Sequence, residues 1–365
     1  MSHQKRRIRY AVVGAGNIAQ LAVLPAFAHA KDNSQLVALV SGDPEKRRQL
    51  GQRYQLELLG DYSELESIIE RGNIDAVYIA TPNALHKDIA IRAAGFGAHV
   101  LCEKPLAPTA SDCRLIMDAC ANNGVWLMVA YRLHFEAANL KAIEIARSGQ
   151  LGEPQLFSAF FSHVVREDDI RRDAGLAGGA CLDLGVYCIN SARHLFGAEP
   201  EQVIGHVIER DGTDDTVSAI LTFPGERIAQ FCISNSVAGV SSYRIAGSEG
   251  DLRVEPAYEY VGELVHHLTR GDKTERKVFQ KSDQFAPELK YFSECILSGR
   301  EPEPSGEEGW CDIRVVDAIL ESARSQRPVI LQPYAREQRP SLAQADHERP
   351  VKKPQPIHAP SPSLK

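Results

Sequence analysis

Two short segments of this chain carry side chains whose types and spacing suit proton transfer. Lys104 lies in Glu103-Lys104-Pro105, directly after the apolar run at 98–102. A lysine at the carboxyl end of a strand in a doubly wound sheet points toward the ligand crevice, which makes Lys104 a candidate catalytic ammonium. The alternative is a surface lysine in a turn that the proline ends.

The second segment contains Asp183 and Tyr187, which are spaced i, i+4. On a helix this spacing places both side chains on one face, and Asn190 lies near it. A free phenol has a pKa of about 10 and is a poor base at neutral pH, so Tyr187 needs a cation such as Lys104 nearby. The sequence therefore predicts that Lys104, Asp183 and Tyr187 are catalytic. The alternative is a buried tyrosine bonded to a structural aspartate.

A glycine-rich segment upstream predicts what these groups act beside. Gly14-x-Gly16-x-x-Ala19 follows an apolar, strand-like run and opens a helix. Gly14 permits a tight turn, and Gly16 lets a pyrophosphate approach the backbone at a helix N-terminus. We therefore expect Gly14, Gly16, Asn17 and Ile18 to bind a dinucleotide. Hydride transfer to or from its nicotinamide is the chemistry that such a set suits.

The residues after the second predicted strand bear on the choice between NAD and NADP. An acidic residue there would bind the ribose 2′-hydroxyl of NAD. Here Ser41 and Gly42 come first, and Lys46 and Arg47 follow at the start of a helix, where they can bind a 2′-phosphate. Asp43 favours the opposite choice. The pattern favours NADP, with NAD as the alternative.

Two patterns of secondary structure divide the chain. Residues 1–131 alternate apolar β-rich runs with helical patterns, which predicts a doubly wound α/β domain with a Rossmann-type parallel sheet. Residues 132–335 contain strand-like runs with few helices, which predicts an open, mainly antiparallel sheet with helices on one face, an α+β domain. Residues 336–365 are rich in Pro, Gln and Ser and are predicted to be a disordered tail.

Composition argues against several other classes of function. The 365 residues are 44% hydrophobic, and the net charge of −7 argues against a nucleic-acid partner. No apolar run is long enough for a bilayer, and the eight cysteines form no C-x-x-C pair, so we expect a cytoplasmic protein with no membrane partner. No His, Cys and carboxylate set has metal-ligand spacing, so no metal is expected.

These motifs together resemble the Gfo/Idh/MocA oxidoreductase family. The likeness covers most of residues 7–332 and rests on these elements: Gly14-x-Gly16-x-x-Ala19, Thr81-Pro82-Asn83 with His86, Glu103-Lys104-Pro105, Tyr131-Arg132, and Gly178-Gly179 before Asp183 and Tyr187. The stretches at 41–46, 130–132 and 184–190 look most like the glucose–fructose oxidoreductase branch, which uses NADP.

The resemblance implies an NADP-dependent oxidoreductase that acts on CH–OH groups of a sugar or polyol, such as an aldose dehydrogenase. It also implies that six residues contact the cofactor, namely Thr81, Asn83, His86, Glu103, Lys104 and Arg132. Sheet faces in this family commonly form dimers or tetramers, so a homodimer or homotetramer is expected. Since the family includes non-catalytic NAD(P)-binding sensors, a sensor is the alternative function.

The chain also departs from that branch. It has neither the export signal nor the N-terminal arm of the branch's periplasmic members, and residues 166–172 lack the expected tryptophan. The identity of the substrate therefore does not follow from the resemblance.

Overall fold

A computed structural model of the chain describes residues 6–260 and 262–363. These residues form two compact units. The first combines the chain up to Arg132 with Asp283–Trp310 and Glu348–Pro362, and the second combines Leu133–Ser282 with Cys311–His347 and residue 363. The predicted division at residue 131 differs from this arrangement, because two later segments return to the first unit.

The first unit is built on a parallel sheet. In the described part of the chain it has six strands in the spatial order β3-β2-β1-β4-β5-β6. Their bounds are β1 (Ile8–Val13), β2 (Ser34–Val40), β3 (Leu58–Gly60), β4 (Ala76–Ile79), β5 (His99–Glu103) and β6 (Leu127–Ala130). The strand order reverses between β1 and β4, and sheets of this kind bind ligands at that point.

Helices connect these strands. They are a π-helical turn at Ala19–Val23 that continues as α1 (Leu24–Ala26), then α2 (Pro44–Tyr54), α3 (Leu65–Gly72), α4 (His86–Gly95) and α5 (Ala110–Asn122). Asp43 and Thr109 cap α2 and α5 by accepting hydrogen bonds from backbone N–H groups. The doubly wound α/β fold predicted for this part of the chain is confirmed.

The second unit is built on a nine-stranded sheet, counted over the described residues, in the order β14-β13-β12-β11-β7-β10-β9-β8-β15. The strands are β7 (Pro154–Ser162), β8 (Gln202–Arg210), β9 (Thr213–Phe223), β10 (Arg227–Ser234), β11 (Val240–Gly247), β12 (Gly250–Val254), β13 (Leu264–Arg270), β14 (Lys273–Phe279) and β15 (Val329–Ile330). β7 and β10 are parallel, whereas the other neighbouring pairs are antiparallel. The predicted open, mainly antiparallel sheet is confirmed.

Two helices of this unit matter for the candidate site. α6 spans Ala137–Arg147, and a π-helical turn at Cys181–Gly185 continues into α7, Val186–Phe196. The sequence analysis placed Asp183 and Tyr187 on one face of a single α-helix. The wider π turn at its start alters the side-chain directions that an α-helical i, i+4 spacing would give.

The segment 283–310 carries α8 (Ala286–Ser298) and the start of α9 (Gly306–Ser325). It belongs to the first unit because α8 bonds to the first strands: the Ser293 hydroxyl lies 2.9 Å from the Tyr10 hydroxyl and 2.8 Å from Ser34 Oγ. Sequence order could not show this return, since the partners are more than 250 positions apart.

The stretch predicted as a disordered tail has defined contacts in the structure. Arg339 NH2 donates to Glu199 Oε1 at 3.0 Å in the second unit. Residues 348–362 pack in the first unit, where Ile357 and Ala359 are buried. The difference arises because a few spaced apolar residues anchor a chain whose average composition is polar.

None of the helices described for residues 6–260 and 262–363 combines the length and the apolar character needed to cross a membrane.

Candidate active site

The glycine motif forms a turn that no larger residue could form. Gly14 has φ of +104°, and a Cβ there would lie 2.3 Å from the carbonyl oxygen of Ala80. At Gly16, by contrast, no described atom lies within 4 Å of such a Cβ. Asn17 and Ile18 follow at the start of the helical stretch. The backbone is thus exposed on the side where a pyrophosphate would approach a helix N-terminus.

The end of β2 presents a short polar loop. Ser41 is 3% exposed, and its carbonyl accepts from Arg47 NH1 at 2.7 Å. Asp43 accepts from the backbone N–H groups of Glu45 and Lys46 at 2.9 and 3.0 Å, and this bonding to Lys46 lowers its pKa. The carboxylate that argued against NADP is therefore the N-cap of α2.

The loops after β4 and β5 are joined by one buried histidine. The ring nitrogens of His86 lie 2.9 Å from the carbonyl oxygen of Pro105 and 3.0 Å from that of Thr81. Burial lowers the pKa of His86, while the hydrogen bonds to the two carbonyls act in the opposite direction. Both nitrogens face protein carbonyls, so His86 positions the loop of Lys104 instead of offering a ring nitrogen to a ligand. Asn83 begins the 3-10 turn between Thr81 and His86.

Thr81 differs from its neighbours in this loop. Its hydroxyl oxygen is buried and has no hydrogen-bond partner among the described residues. A buried hydroxyl without a partner is costly, which is typical of a group that bonds to a ligand.

The sheet-edge cluster consists of Tyr78, Glu103, Lys104, Arg132 and Glu288. The Tyr78 hydroxyl donates to Glu103 Oε1 at 2.9 Å, and Glu288 Oε2 lies 3.4 Å away. Burial raises the pKa of both carboxyls, and that of Glu288 is raised further by Glu103. The positive charges of Lys104 and Arg132 oppose this rise. When two buried carboxyl groups lie beside one hydroxyl, the state in which the pair carries one proton is favoured over the state in which both are ionised.

Arg132 belongs to this cluster by charge and by a hydrogen bond. Its side chain is buried, and NH1 donates to Gln284 Oε1 at 2.5 Å. It was predicted as a cofactor contact. In the described structure its role is to offset the charge of Glu103, while the prediction of cofactor contact stays untested.

The helix-start cluster of the second unit consists of His163, Asp169, Arg171, Asp183 and Tyr187. Arg171 donates from Nε to Asp183 Oδ2 at 2.8 Å and from NH1 to Asp169 Oδ1 at 3.0 Å. Burial opposes the charge of Arg171, but Asp183 and Asp169 together raise its pKa. His163 Nε2 lies 3.7 Å from Asp183 Oδ2. Asp183 is therefore an oriented carboxylate with two basic neighbours.

Two glycines bring this loop onto the start of the helix. A Cβ on Gly178 would lie 2.6 Å from the Arg171 carbonyl oxygen. A Cβ on Gly179, whose φ is +132°, would lie 2.0 Å from Asp214 Oδ1. Asp214 Oδ2 in turn accepts from the Cys181 backbone N–H at 2.6 Å. The glycine pair therefore fixes Arg171 beside Asp183.

Tyr187 is held by aromatic rings. Its ring centroid lies 5.7 Å from that of Phe161, edge to face, and 5.9 Å from that of Tyr258. A Cβ on Gly185 would lie 3.2 Å from Ile233 Cδ1. The glycine at 185 thus lets the sheet of this unit approach the helix closely.

His134 follows Tyr131-Arg132 in the sequence, and a histidine at this place could contact a substrate or act as a base. The structure buries it with His194, at 4.9 Å between ring centroids, and its Nε2 lies 3.0 Å from Asn190 Oδ1. Burial lowers the pKa of His134 to about 3. Because such an imidazole stays neutral and binds protons weakly, His134 is a poor base. Asn190 also donates to Asp312 Oδ2 at 2.8 Å, so its amide belongs to the interior of the unit.

The predicted residues thus fall into two groups. Those in the first unit lie at the carboxyl ends of β1, β2, β4, β5 and β6, and Asp183 and Tyr187 lie at the start of the helix in the second unit. The sequence analysis missed Tyr78 and Glu288. Tyr78 is the one polar side chain of the apolar strand β4, which was a usable signal, whereas Glu288 shares α8 with Lys290, Ser293 and Glu294 and gives no such signal.

Comparison with known proteins identifies the family. The chain matches the NAD-binding Rossmann-fold model of the GFO_IDH_MocA oxidoreductase family over residues 8–131 and the GFO/IDH/MocA C-terminal domain over residues 139–253. The chain therefore belongs to the Gfo/Idh/MocA family of oxidoreductases, and the predicted membership is confirmed.

Several relatives resemble most of the chain. D-xylose 1-dehydrogenase (NADP(+)) of Haloarcula marismortui is 32% identical over 89% of this chain and 93% of its own length. The structure of aldose-aldose oxidoreductase from Caulobacter crescentus, complexed with glycerol, has a TM-score of 0.85 and 35% identity, covering 89% of this chain and 100% of that one. KijD10, a 3-ketoreductase from Actinomadura kijaniata in complex with NADP and TDP-benzene, has a TM-score of 0.80 and 29% identity, over 87% and 98% of the two chains.

Proposed function

We propose that this protein is an NADP-dependent oxidoreductase that transfers a hydride between the nicotinamide and a CH–OH carbon of an aldose or related polyol. The observation that carries the proposal is the first unit's sheet edge. There an open backbone at Gly16, a buried Thr81 hydroxyl without a described partner and the lysine of Glu103-Lys104-Pro105 follow neighbouring strands. The relatives named for xylose and aldose chemistry support the sugar as substrate class.

The residues present fit a dinucleotide. Gly14 and Gly16 leave the backbone open to a pyrophosphate, and Thr81 offers an unused hydroxyl. Lys46 and Arg47 supply positive charge beside Ser41, while Asp43 is committed to the N-cap of α2. When bound, NADP would supply the hydride acceptor.

The remaining chemistry falls to side chains of the chain. In this proposal Lys104 orients the reacting hydroxyl with its ammonium, and Tyr187 takes the proton that leaves that hydroxyl during oxidation. Arg171 holds Asp183 in one orientation, so that Asp183 can contact the substrate or the phenol. In the reductive direction the same groups return the proton.

The proposed preference for NADP has its own test. Lys46→Ala should weaken NADP binding by about 1.5–3 kcal/mol, the value of one charge-assisted contact, and leave NAD binding nearly unchanged. Titration of both cofactors by quenching of protein fluorescence would measure this. Equal weakening for NADP and NAD would show that Lys46 does not contact the 2′-phosphate.

The reaction class is tested by a substrate panel. Aldoses, inositols and dihydrodiols are assayed with NADP and with NAD at the nicotinamide absorbance band, and oxidation of at least one aldose with NADP is expected. Binding of NADP without turnover on any compound would favour the non-catalytic sensor that the sequence analysis left as the alternative.

The exposed face of the second unit's sheet supports a second proposal, that copies of the chain assemble through it. Large apolar side chains lie exposed on four adjacent strands: Leu156 and Phe160 on β7, Ile228 on β10, Ile220 on β9, and Ile204 and Ile208 on β8. Such a patch is typical of a protein interface. Phe160→Lys should reduce the mass measured by light scattering, and a mass of one chain for the unaltered protein would refute the assembly.

A further inference from the structure

A proline-rich segment lies against the glycine motif of the first unit. Gln20, whose side chain is fully buried, donates from Nε2 to the carbonyl of Ile357 at 2.8 Å, and its Oε1 accepts from the Ile357 N–H at 2.7 Å. Asn17 Nδ2 donates to the carbonyls of Ala359 and Pro360, both at 3.0 Å. Two amide side chains of the glycine-motif helix therefore hold backbone groups at three positions of this segment, Ile357, Ala359 and Pro360.

The same segment continues to the loop after β2. Arg53 NH1 donates to the carbonyl of Gln355 at 3.0 Å, and His358 Nδ1 lies 3.2 Å from Asp43 Oδ2. Residues 355–360, which we call the strap, thus run from the end of α2 past the loop of Ser41 and Asp43 to the glycine turn. This path connects the two places where the phosphates of NADP are expected.

The sequence of the strap suits a segment that docks on the first unit through a few side chains and can also detach from it. Ile357 and Ala359 are buried, whereas Gln355, Pro356, His358 and Pro360 are exposed, so alternate side chains anchor it. Prolines restrict the backbone before it docks and reduce the entropy lost on ordering. His358 brings a basic side chain beside Asp43, at the loop where the 2′-phosphate is expected, in a chain whose net charge is −7.

The contacts favour a segment that covers the bound cofactor over one that occupies the cofactor's place. Asn17 holds the strap with its side-chain amide, so its backbone N–H is not the group that binds the strap. With the strap in place, no described atom lies within 4 Å of a Cβ built on Gly16. The space beside Gly16, in the direction in which a side chain would point, is therefore open while the strap is docked.

We propose that the strap closes over the adenosine side of the NADP site and slows release of the cofactor. This inference rests on the proposed use of NADP. It adds that Asn17 and Gln20 act by holding the strap, and that residues 355–360 set how long NADP or NADPH stays bound.

The test compares two variants that each add one negative charge to the strap. Ala359→Asp places it at a buried position, and Gln355→Asp places it at an exposed one whose contact to Arg53 uses only the backbone. NADPH dissociation is followed by its fluorescence after mixing with excess NADP. Ala359→Asp should speed dissociation about tenfold, as expected for the loss of one or two hydrogen bonds. Gln355→Asp should change it less than about twofold, since surface substitutions have small effects.

Hydrogen exchange of the unaltered chain gives a second readout. NADP should slow amide exchange in residues 355–360. Equal NADPH dissociation rates for Ala359→Asp and the unaltered chain would refute the proposed role of the strap. The proposed NADP-dependent activity would not be affected by that result. Faster exchange with NADP, or tighter NADPH binding by Ala359→Asp, would show that the segment competes with the cofactor. An unaltered chain that binds no NADPH would overturn the proposed function as well.

Discussion

The sheet-edge cluster and the helix-start cluster each place a carboxyl group beside positively charged side chains, but different structural features bring their residues together. In the first unit, the register of the parallel strands brings their ends together. The carboxyl groups of Glu103 and Glu288 both lie within hydrogen-bond distance of the Tyr78 hydroxyl. In the second, a loop laid over two glycines brings Arg171 to Asp183. The first cluster depends on strand order and the second on a single close backbone contact, so they should respond differently to substitution.

The largest effect should come from the sheet-edge cluster. Lys104→Ala should lower kcat with an aldose by at least about 10²–10⁴-fold, the range typical of general acid–base groups, because it removes the ammonium that orients the hydroxyl. Lys104→Arg should restore little, since a planar guanidinium cannot replace a compact ammonium. Near-normal kcat in Lys104→Ala would remove Lys104 from the chemistry.

Tyr187→Phe tests the helix-start cluster with the least structural change. It keeps the ring packed against Phe161 and Tyr258 and removes only the hydroxyl, so folding and NADPH binding should survive. We expect kcat to fall by about 10²–10⁴-fold. If Lys104 and Tyr187 act as a unit, the double variant should lose much less than the product of the two single losses. Fully multiplicative losses would show two independent roles.

Arg171→Ala should have an intermediate effect. It removes the charge-assisted bond to Asp183, so kcat/KM should fall by about 10–100-fold, equivalent to about 1.5–3 kcal/mol. Arg166→Ala is the matched control, because Arg166 pairs with Asp168 at 2.7 Å in an exposed position of the same loop. The control should lose less than about threefold. Similar losses in both variants would mean that the loop as a whole matters, and not the bond to Asp183.

The smallest effect is on stability, where the two units should differ in sign. Burial lowers the pKa of His266, in the second unit, to about 4. Between pH 6.5 and 4 the unfolded chain takes a proton that the folded chain does not, so stability should fall by up to about 1.4 kcal/mol per pH unit as pH drops. His266→Phe should flatten this slope.

Glu288 in the first unit acts in the opposite direction. Burial raises its pKa well above the usual 4.5, so the folded chain keeps a proton that the unfolded chain loses. Its contribution to stability is therefore present below pH 4.5 and is lost as pH rises. Glu288→Gln should reduce that loss in urea unfolding measured from pH 5 to 8. Unchanged slopes for both variants would contradict the two assignments.

The same contrast explains what could be predicted from sequence. The parallel sheet, its glycine turn and the loop of Lys104 were predictable because each depends on a contiguous motif read with its neighbouring strand. The Asp183–Tyr187 spacing was visible, but the π turn between 181 and 185 and the bond to Arg171 were not, because they depend on Asp214 and on the fit of Gly178 and Gly179.

Other features could not be predicted for a different reason. The strand β14 could not be recognised from its sequence, KTERKVF, because its side chains are mostly charged and exposed and show no apolar alternation. Tyr78 was read only as part of an apolar strand, and Glu288 lies on a helix that the pattern did not indicate. A long-range partner defines each of these residues, and a single sequence does not specify such partners.

The division of the first unit among three stretches of chain has a consequence for synthesis. While the ribosome is still making residues 133–282, Tyr10 and Ser34 have no Ser293 to bond, and Tyr78 has no Glu288. The nascent parallel sheet must therefore wait for about 150 further residues, which at typical elongation rates of about 5–20 residues per second takes roughly ten to thirty seconds. During that interval its unfinished surface is open to chaperones, and a nascent chain arrested before residue 283 should be digested by protease far more readily than the completed protein.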